Sequence, residues 1–199
     1  MNYPNGVRPR ANQSNRVKKT NNVQSYSNRG MSLEEDINAT NEYYLATNKA
    51  IVHKKPTPIQ IVRVHYPKRS AAVITEAYFQ SKSTTDYNGI YKGKHIDFEA
   101  KETKNKTLFP LANFHDHQFS HMQQIVEHGG ICFCLIRFTA MDETYFIEAK
   151  DILQAYEKMM QGGKKSLSYE DIKTKGEQIP LQFQARVNYL PIIDERFFS

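Results

Sequence analysis

Asp86-Tyr87-Asn88-Gly89-Ile90-Tyr91-Lys92-Gly93-Lys94-His95-Ile96-Asp97-Phe98-Glu99-Ala100-Lys101 reads as two extended runs meeting at a turn. The runs cover about 84–92 and 94–102, with Gly93 as the turn residue. In a strand, residues two apart share a face, so Asp97, Glu99 and Lys101 project together. Ile96, Phe98 and Ala100 project oppositely, into the core. Three ionisable groups on one short strand are costly unless their face is wet or binds something. Antiparallel pairing across the turn brings Asp86 near the Glu99 end. Two carboxylates about 4 Å apart repel by about 4 kcal/mol at an effective dielectric of about 20, and a divalent cation relieves that repulsion. An oxygen-rich site with room for water suits Mg²⁺ or Mn²⁺. The cation would polarise a phosphate, and Lys101 would stabilise transition-state charge or orient a water. Phosphodiester hydrolysis needs these elements. By itself Glu-x-Lys is a weak signal, since both residues are common; a solvated strand face is the alternative.

Upstream, Ser32-Leu33-Glu34-Glu35 has the form of a capping box, and Glu34, Glu35 and Asp36 suit a helix N-terminus. The predicted helix spans about 32–48 and buries Leu33, Ile37, Tyr44 and Leu45. Glu34 and Glu35 read as capping residues and stay outside the candidate site. Ile51-Val52 suits a short strand, ended by Pro56-Thr57-Pro58. The excursion Ile59–Phe79 follows, with a β-rich run at each end and a turn around Pro67 that carries Lys68 and Arg69. Its second run, 71–79, also admits a helix because Ala and Glu favour one.

Downstream, an extended piece near Leu108–Leu111 leads into a helix of about 115–128, ended by Gly129-Gly130. Residues 131–138 and 143–148 read as strands and 150–160 as an amphipathic helix. No element is assigned beyond Gly163. Helices alternating with strands in this order predict an α/β architecture, a mixed sheet flanked by helices.

The chain has 199 residues, 39% of them hydrophobic, enough for one domain with appendages. No apolar run is long enough to span a bilayer, and no secretory signal follows the first Met. Cys132 and Cys134 share one face of a strand and read as core filling in a reducing cytosol. A cytoplasmic location is expected.

Six of the 27 basic residues, Arg8, Arg10, Arg16, Lys18, Lys19 and Arg29, lie in residues 1–31, which hold no Asp or Glu. That leaves 21 basic residues to balance 21 acidic ones in the remainder. The whole charge excess sits in a tail too polar to bury a core, which predicts a disordered basic arm. Its target is a polyanion, nucleic acid before membrane, because no apolar helical face accompanies the charge; a solubilising tail is the alternative. His117 and His121 stand at helical i,i+4 spacing like a zinc pair, but the Glu of H-E-x-x-H and a third ligand are missing.

At this point the sequence resembles a family. An acid, about a dozen residues, then Glu-x-Lys on the next strand is the pattern of the PD-(D/E)xK nuclease superfamily. Within it the chain is similar to RecU, the Holliday junction resolvases of Gram-positive bacteria. The likeness is carried by Asn28-Arg29-Gly30-Met31-Ser32-Leu33-Glu34, by Tyr66-Pro67-Lys68-Arg69-Ser70 through Ala77-Tyr78-Phe79, and by Thr84-Thr85-Asp86-Tyr87-Asn88-Gly89. Asp97-Phe98-Glu99-Ala100-Lys101-Glu102-Thr103 and Phe114-His115-Asp116-His117-Gln118 complete it.

The resemblance implies a restriction-endonuclease-like fold with a projecting stalk at about 59–79, set in a nuclease domain of 32–199. It implies a Mg²⁺ site (Mn²⁺ as substitute) on Thr84, Asp86, Glu99 and Gln118, with Lys101 as transition-state stabiliser. Gln118 would act directly or through water. It further implies a homodimer that cuts opposed strands of four-way junction DNA symmetrically in recombination and DNA repair, in contact with a recombinase and a branch-migration helicase. The arm residues and the stalk's Arg63, Lys68 and Arg69 are the candidate DNA contacts. Two alternatives stand beside this: a DNA-bridging, recombinase-regulating protein without catalysis, and a duplex endonuclease of restriction type.

Overall fold

Ser32 opens the first helix, α1 (Leu33–Ala46), by the expected capping box: its hydroxyl accepts the Glu35 N–H, and Glu35 accepts the Ser32 N–H at 2.8 Å. In this computed structural model the chain divides into Met1–Gly30 and Met31–Ser199, and the residues described are 31–80 and 84–199. The predicted arm contacts Arg8, Arg10, Arg16, Lys18, Lys19 and Arg29 therefore lie outside the described residues.

The inner face of α1 carries Leu33, Ile37 and Tyr44, as expected, but Leu45 is exposed. The buried arc runs from Asp36 through Ile37, Thr40 and Tyr44 to Asn41, and Leu45, about 100° round from Tyr44, falls beyond its edge. Asp36 is also on the inside. Its carboxylate is gripped by Arg137 at 2.7 Å and by Arg186, all three buried. A residue that looked like a helix-dipole acid thus ties α1 to the sheet and to the C-terminal segment.

The sheet has six strands. They are β1 (Ile51–Lys54), β4 (Tyr87–Tyr91), β5 (Lys94–Thr103), β7 (Ile131–Phe138), β8 (Glu143–Glu148) and β10 (Glu177–Ile179), in that spatial order. Only β5 and β7 run parallel, joined through α2 (Asp116–Glu127), so the sheet is mixed. Between β4 and β5, Lys92 and Gly93 have φ of 47° and 76°. That two-residue left-handed turn fits the twist of a hairpin, and Gly93 takes the conformation without strain. Gly89 has a different reason: a Cβ there would lie 2.1 Å from the Ile51 carbonyl oxygen of β1.

Both faces of the sheet are covered. One buries Ile96, Phe98, Phe133 and Phe146 against α1 and α5 (Leu190–Phe197). The other buries Cys132, Cys134, Ile136 and Ile147 against α2 and α3 (Ala149–Met160). Both cysteines are free and buried, as core filling requires, and burial pushes both thiols up.

The excursion is a separate antiparallel ribbon of β2 (Ile59–His65) and β3 (Val73–Phe79), with a 3₁₀ turn at Arg69–Ala71. The stretch that admitted a helix or a strand is a strand. Its side chains stay exposed, Phe79 to 84%.

Beyond Gly163 come β9 (Ser166–Ser168), which pairs with β6 (Leu108–Pro110), then α4 (Tyr169–Lys175), β10 and α5. These pieces are three to eight residues long, too short for a hydrophobic period to accumulate. Among the described residues no helix is long and apolar enough to cross a membrane.

Candidate active site

The registers of β4 and β5 pair Tyr87 with Phe98, so Asp86, one residue before β4, falls opposite Glu99. Its backbone N–H donates to Glu99 Oε2 at 3.1 Å, in place of a ladder bond. Lys101 Nζ ion-pairs with Glu99 Oε1 at 2.7 Å. Asp86, Glu99 and Lys101 are thus brought together, as the strand alternation predicts.

Their face is not wet. Asp97 is 1% and Glu99 0% exposed, because α2 covers this side of β5. Burial first, then the hydrogen bond with Asp86, push the Glu99 carboxyl up to about 7 against the attraction of Lys101. Glu99 Oε1 is buried without a well-aligned hydrogen-bond donor. A cavity of about 340 Å³ opens beside the pair, lined by Asp86, Ala100, Lys101, Glu102, Glu34 and the start of α1. Glu34, kept outside the sequence-based site, lines this cavity and pairs with Lys54. Glu102 Oε1 accepts the Leu33 N–H at 2.7 Å and ties the end of β5 to α1.

Thr84 is half-buried two residues before Asp86, and its hydroxyl donates to the Thr85 carbonyl at 3.3 Å. Gln118 is buried on α2, where its Oε1 accepts the His115 N–H at 3.0 Å and completes the helix cap. Direct metal contact through that oxygen would need its second lone pair. His121 Nε2 points to Asp97, 3.3 Å from Oδ1. Among the described residues no group of three or more His, Cys, Asp or Glu is placed to hold a metal ion.

A second polar knot was not foreseen. Lys55 Nζ donates to Asp97 Oδ2 at 2.8 Å and to Thr85 Oγ1 at 3.1 Å, and Thr85 donates to Asp97 Oδ1. Asp97 was legible as a face-mate of Glu99. Lys55 carried no local signal, since its partners lie 30 and 42 residues along the chain.

An oxygen-only set of two carboxylates, one of them fully buried, beside an ammonium group can take a hard dication and leave its remaining positions to water. Residues 28–195 match the family described as Recombination protein U. A protein of Oceanobacillus iheyensis described as Holliday junction resolvase RecU is 62% identical over 198 residues, covering 100% of both chains. Proteins of the same description from Geobacillus kaustophilus and Bacillus cereus strain G9842 are 54% and 55% identical over 199 and 198 residues. Those alignments cover 100% and 99% of this chain and 98% of each relative.

Proposed function

The chain belongs to the RecU family, and we propose that it is a divalent-metal-dependent endodeoxyribonuclease that resolves Holliday junctions in recombination. The observation that carries this is the convergence of Asp86, Glu99 and Lys101 on one buried corner beside an open cavity.

Asp86 and Glu99 would hold the ion, with Thr84 and Gln118 as further ligands, Gln118 directly or through water. The fit rests on the fully buried Glu99 carboxylate, whose charge is met by Lys101, and on a donor set made only of oxygens. Mg²⁺ is the expected ion, because it binds through one or two carboxylates and keeps several waters. When bound, a divalent cation supplies Lewis acidity at the scissile phosphate. Lys101 places a positive charge at the same corner, where it can orient the attacking water or offset charge that builds on the phosphate.

Resolution needs two cuts, and the described residues hold one such corner. A homodimer supplies two, in symmetric positions. The stalk supports this reading: a lone two-stranded ribbon is marginal in water, and Ile61, Val62, Val64, Val73 and Ile74 are exposed on it. Arg63, Lys68 and Arg69 on the ribbon, and the six charges of residues 1–31, would meet phosphates.

The test is incubation with a mobile four-way junction and with linear duplex, with and without Mg²⁺, mapping cuts on all four strands. Paired, symmetric cuts on the junction alone, only with metal, are expected. Binding without any cut would favour the DNA-bridging alternative, and equal cutting of duplex would favour a restriction-type enzyme.

A further inference from the structure

The stalk leaves the sheet just after Lys55 and its chain returns near Thr85. Between these points Gln80 N–H donates to the Pro58 carbonyl at 3.0 Å and closes the base of the ribbon. Asp86 lies past the end of the β4–β5 ladder, so its own main chain is held differently from that of a strand residue. Its carbonyl accepts the Lys55 N–H at 2.8 Å, and its N–H goes to the Glu99 side chain. Its neighbour Thr85 is anchored on Asp97 through the hydroxyl.

Lys55 therefore grips this segment twice. The main chain holds Asp86, and the ammonium group bridges Thr85 and Asp97. Asp97 and Thr85 are buried and Lys55 is largely so, which keeps these bonds out of competition with water. His95 and His121 also face Asp97, at 3.6 and 3.3 Å. Asp97 stands two residues before Glu99 on one strand face, so both carboxylates of the site are referred to the same stretch of β5.

We propose that Lys55, Asp97 and Thr85 are positioning residues of the nuclease centre: they lock the segment that carries Asp86 onto β5 at the root of the stalk. Asp86 is then held against Glu99 before any ion arrives. This rests on the metal-nuclease reading above. None of the three touches the reacting phosphate. Their effect passes through the placement of Asp86, as outer contacts tune the ligands of metal sites.

The experiment compares Lys55→Met, Thr85→Val and Thr85→Ser with the unaltered protein. Mn²⁺ affinity is measured by calorimetry without DNA, junction affinity without metal, and single-turnover cleavage at saturating junction. Lys55→Met and Thr85→Val are expected to weaken Mn²⁺ binding and slow cleavage by about 10–100-fold, with junction affinity unchanged. Thr85→Ser keeps the hydroxyl and should restore both. A merely structural role would lower the melting temperature and leave Mn²⁺ affinity of the folded protein alone. If Lys55→Met does not fold, the Thr85 pair decides.

Wild-type Mn²⁺ binding and cleavage in Thr85→Val, or equal damage in Thr85→Ser, would overturn the proposal. Glu99→Ala is the control. If it still binds Mn²⁺ like the unaltered protein, the metal site itself is misassigned. If it loses Mn²⁺ while Thr85→Val keeps it, only the positioning role fails.

Discussion

The Asp86 N–H points at the Glu99 carboxylate, 3.1 Å from Oε2, where strand geometry alone would send it to a main-chain carbonyl. Main chain from one strand end and side chain from the next are thereby coupled, and the two acids are set face to face in a buried corner. Two like charges that close cannot both ionise freely. Glu99, the more buried, holds its proton up to about 7.

Metal binding should therefore depend on pH. The folded-state value of Glu99 is raised above the ordinary 4.5, so between 4.5 and about 7 the native state binds more protons than the unfolded chain. This group's contribution to metal-free stability is accordingly lost as pH rises through that window. A metal ion must displace the proton, so Mn²⁺ affinity should rise by up to about tenfold per pH unit below about 7 and level off above it. Calorimetry without DNA measures this. An affinity flat across that range would contradict the burial-raised carboxyl.

Glu99→Gln removes the charge but leaves an oxygen to accept the Asp86 N–H. Cleavage should vanish and metal affinity should fall. Stability near neutral pH should stay within about 1 kcal/mol of the unaltered protein or rise, because a buried ionisable group has been replaced by a neutral one of the same shape. Denaturant unfolding set beside a junction-cleavage assay separates the two effects. Residual cutting close to the normal rate would remove Glu99 from the site.

Asp36→Ala addresses the fold rather than the chemistry. It leaves Arg137 and Arg186 buried beside each other without their carboxylate. Breaking such an arrangement typically costs about 3–5 kcal/mol. A loss below about 1 kcal/mol in urea unfolding would show that the clamp is dispensable.

How much of this was legible follows from the range of each signal. The β4–β5 hairpin, its Gly93 turn and the meeting of Asp86 with Glu99 depend on a period of two and a local turn, so a single stretch of sequence reveals them. The α1 capping box is similarly local. Asp36 and Lys55 were opaque because their partners are distant: Arg186 lies 150 residues from Asp36, and Asp97 lies 42 from Lys55. Strand alternation placed Asp97 and Glu99 on one face but could not show that α2 would bury it. The resemblance to a family supplied the metal set, and with it Thr84 and Gln118, which no spacing rule would have selected.

The ribbon Ile59–Phe79 carries Arg63, Lys68 and Arg69, all exposed, with the latter two at its turn. Arg63 lies only 3.9 Å from Glu76, but a surface pair of this kind holds its charge loosely and leaves it available to phosphate. A linear duplex presents a continuous phosphate surface on which a projecting ribbon gains little. An open four-way junction has a central hole lined by phosphates of all four strands, where a basic projection is favoured. Shortening the ribbon to a tight turn should therefore lower the ratio of junction to duplex affinity at fixed salt. The Lys55 and Thr85 contacts must be kept, so that Asp86 stays in register. Mn²⁺ binding should persist, because Glu99 lies on β5 and Asp86 immediately before β4, and neither lies on the ribbon. The comparison needs a variant shown to be folded and of unchanged oligomeric state, since loss of a partner would also weaken junction binding. If that variant binds junction and duplex in the original ratio, the ribbon is not the source of selectivity, and selectivity must come from the geometry of paired subunits.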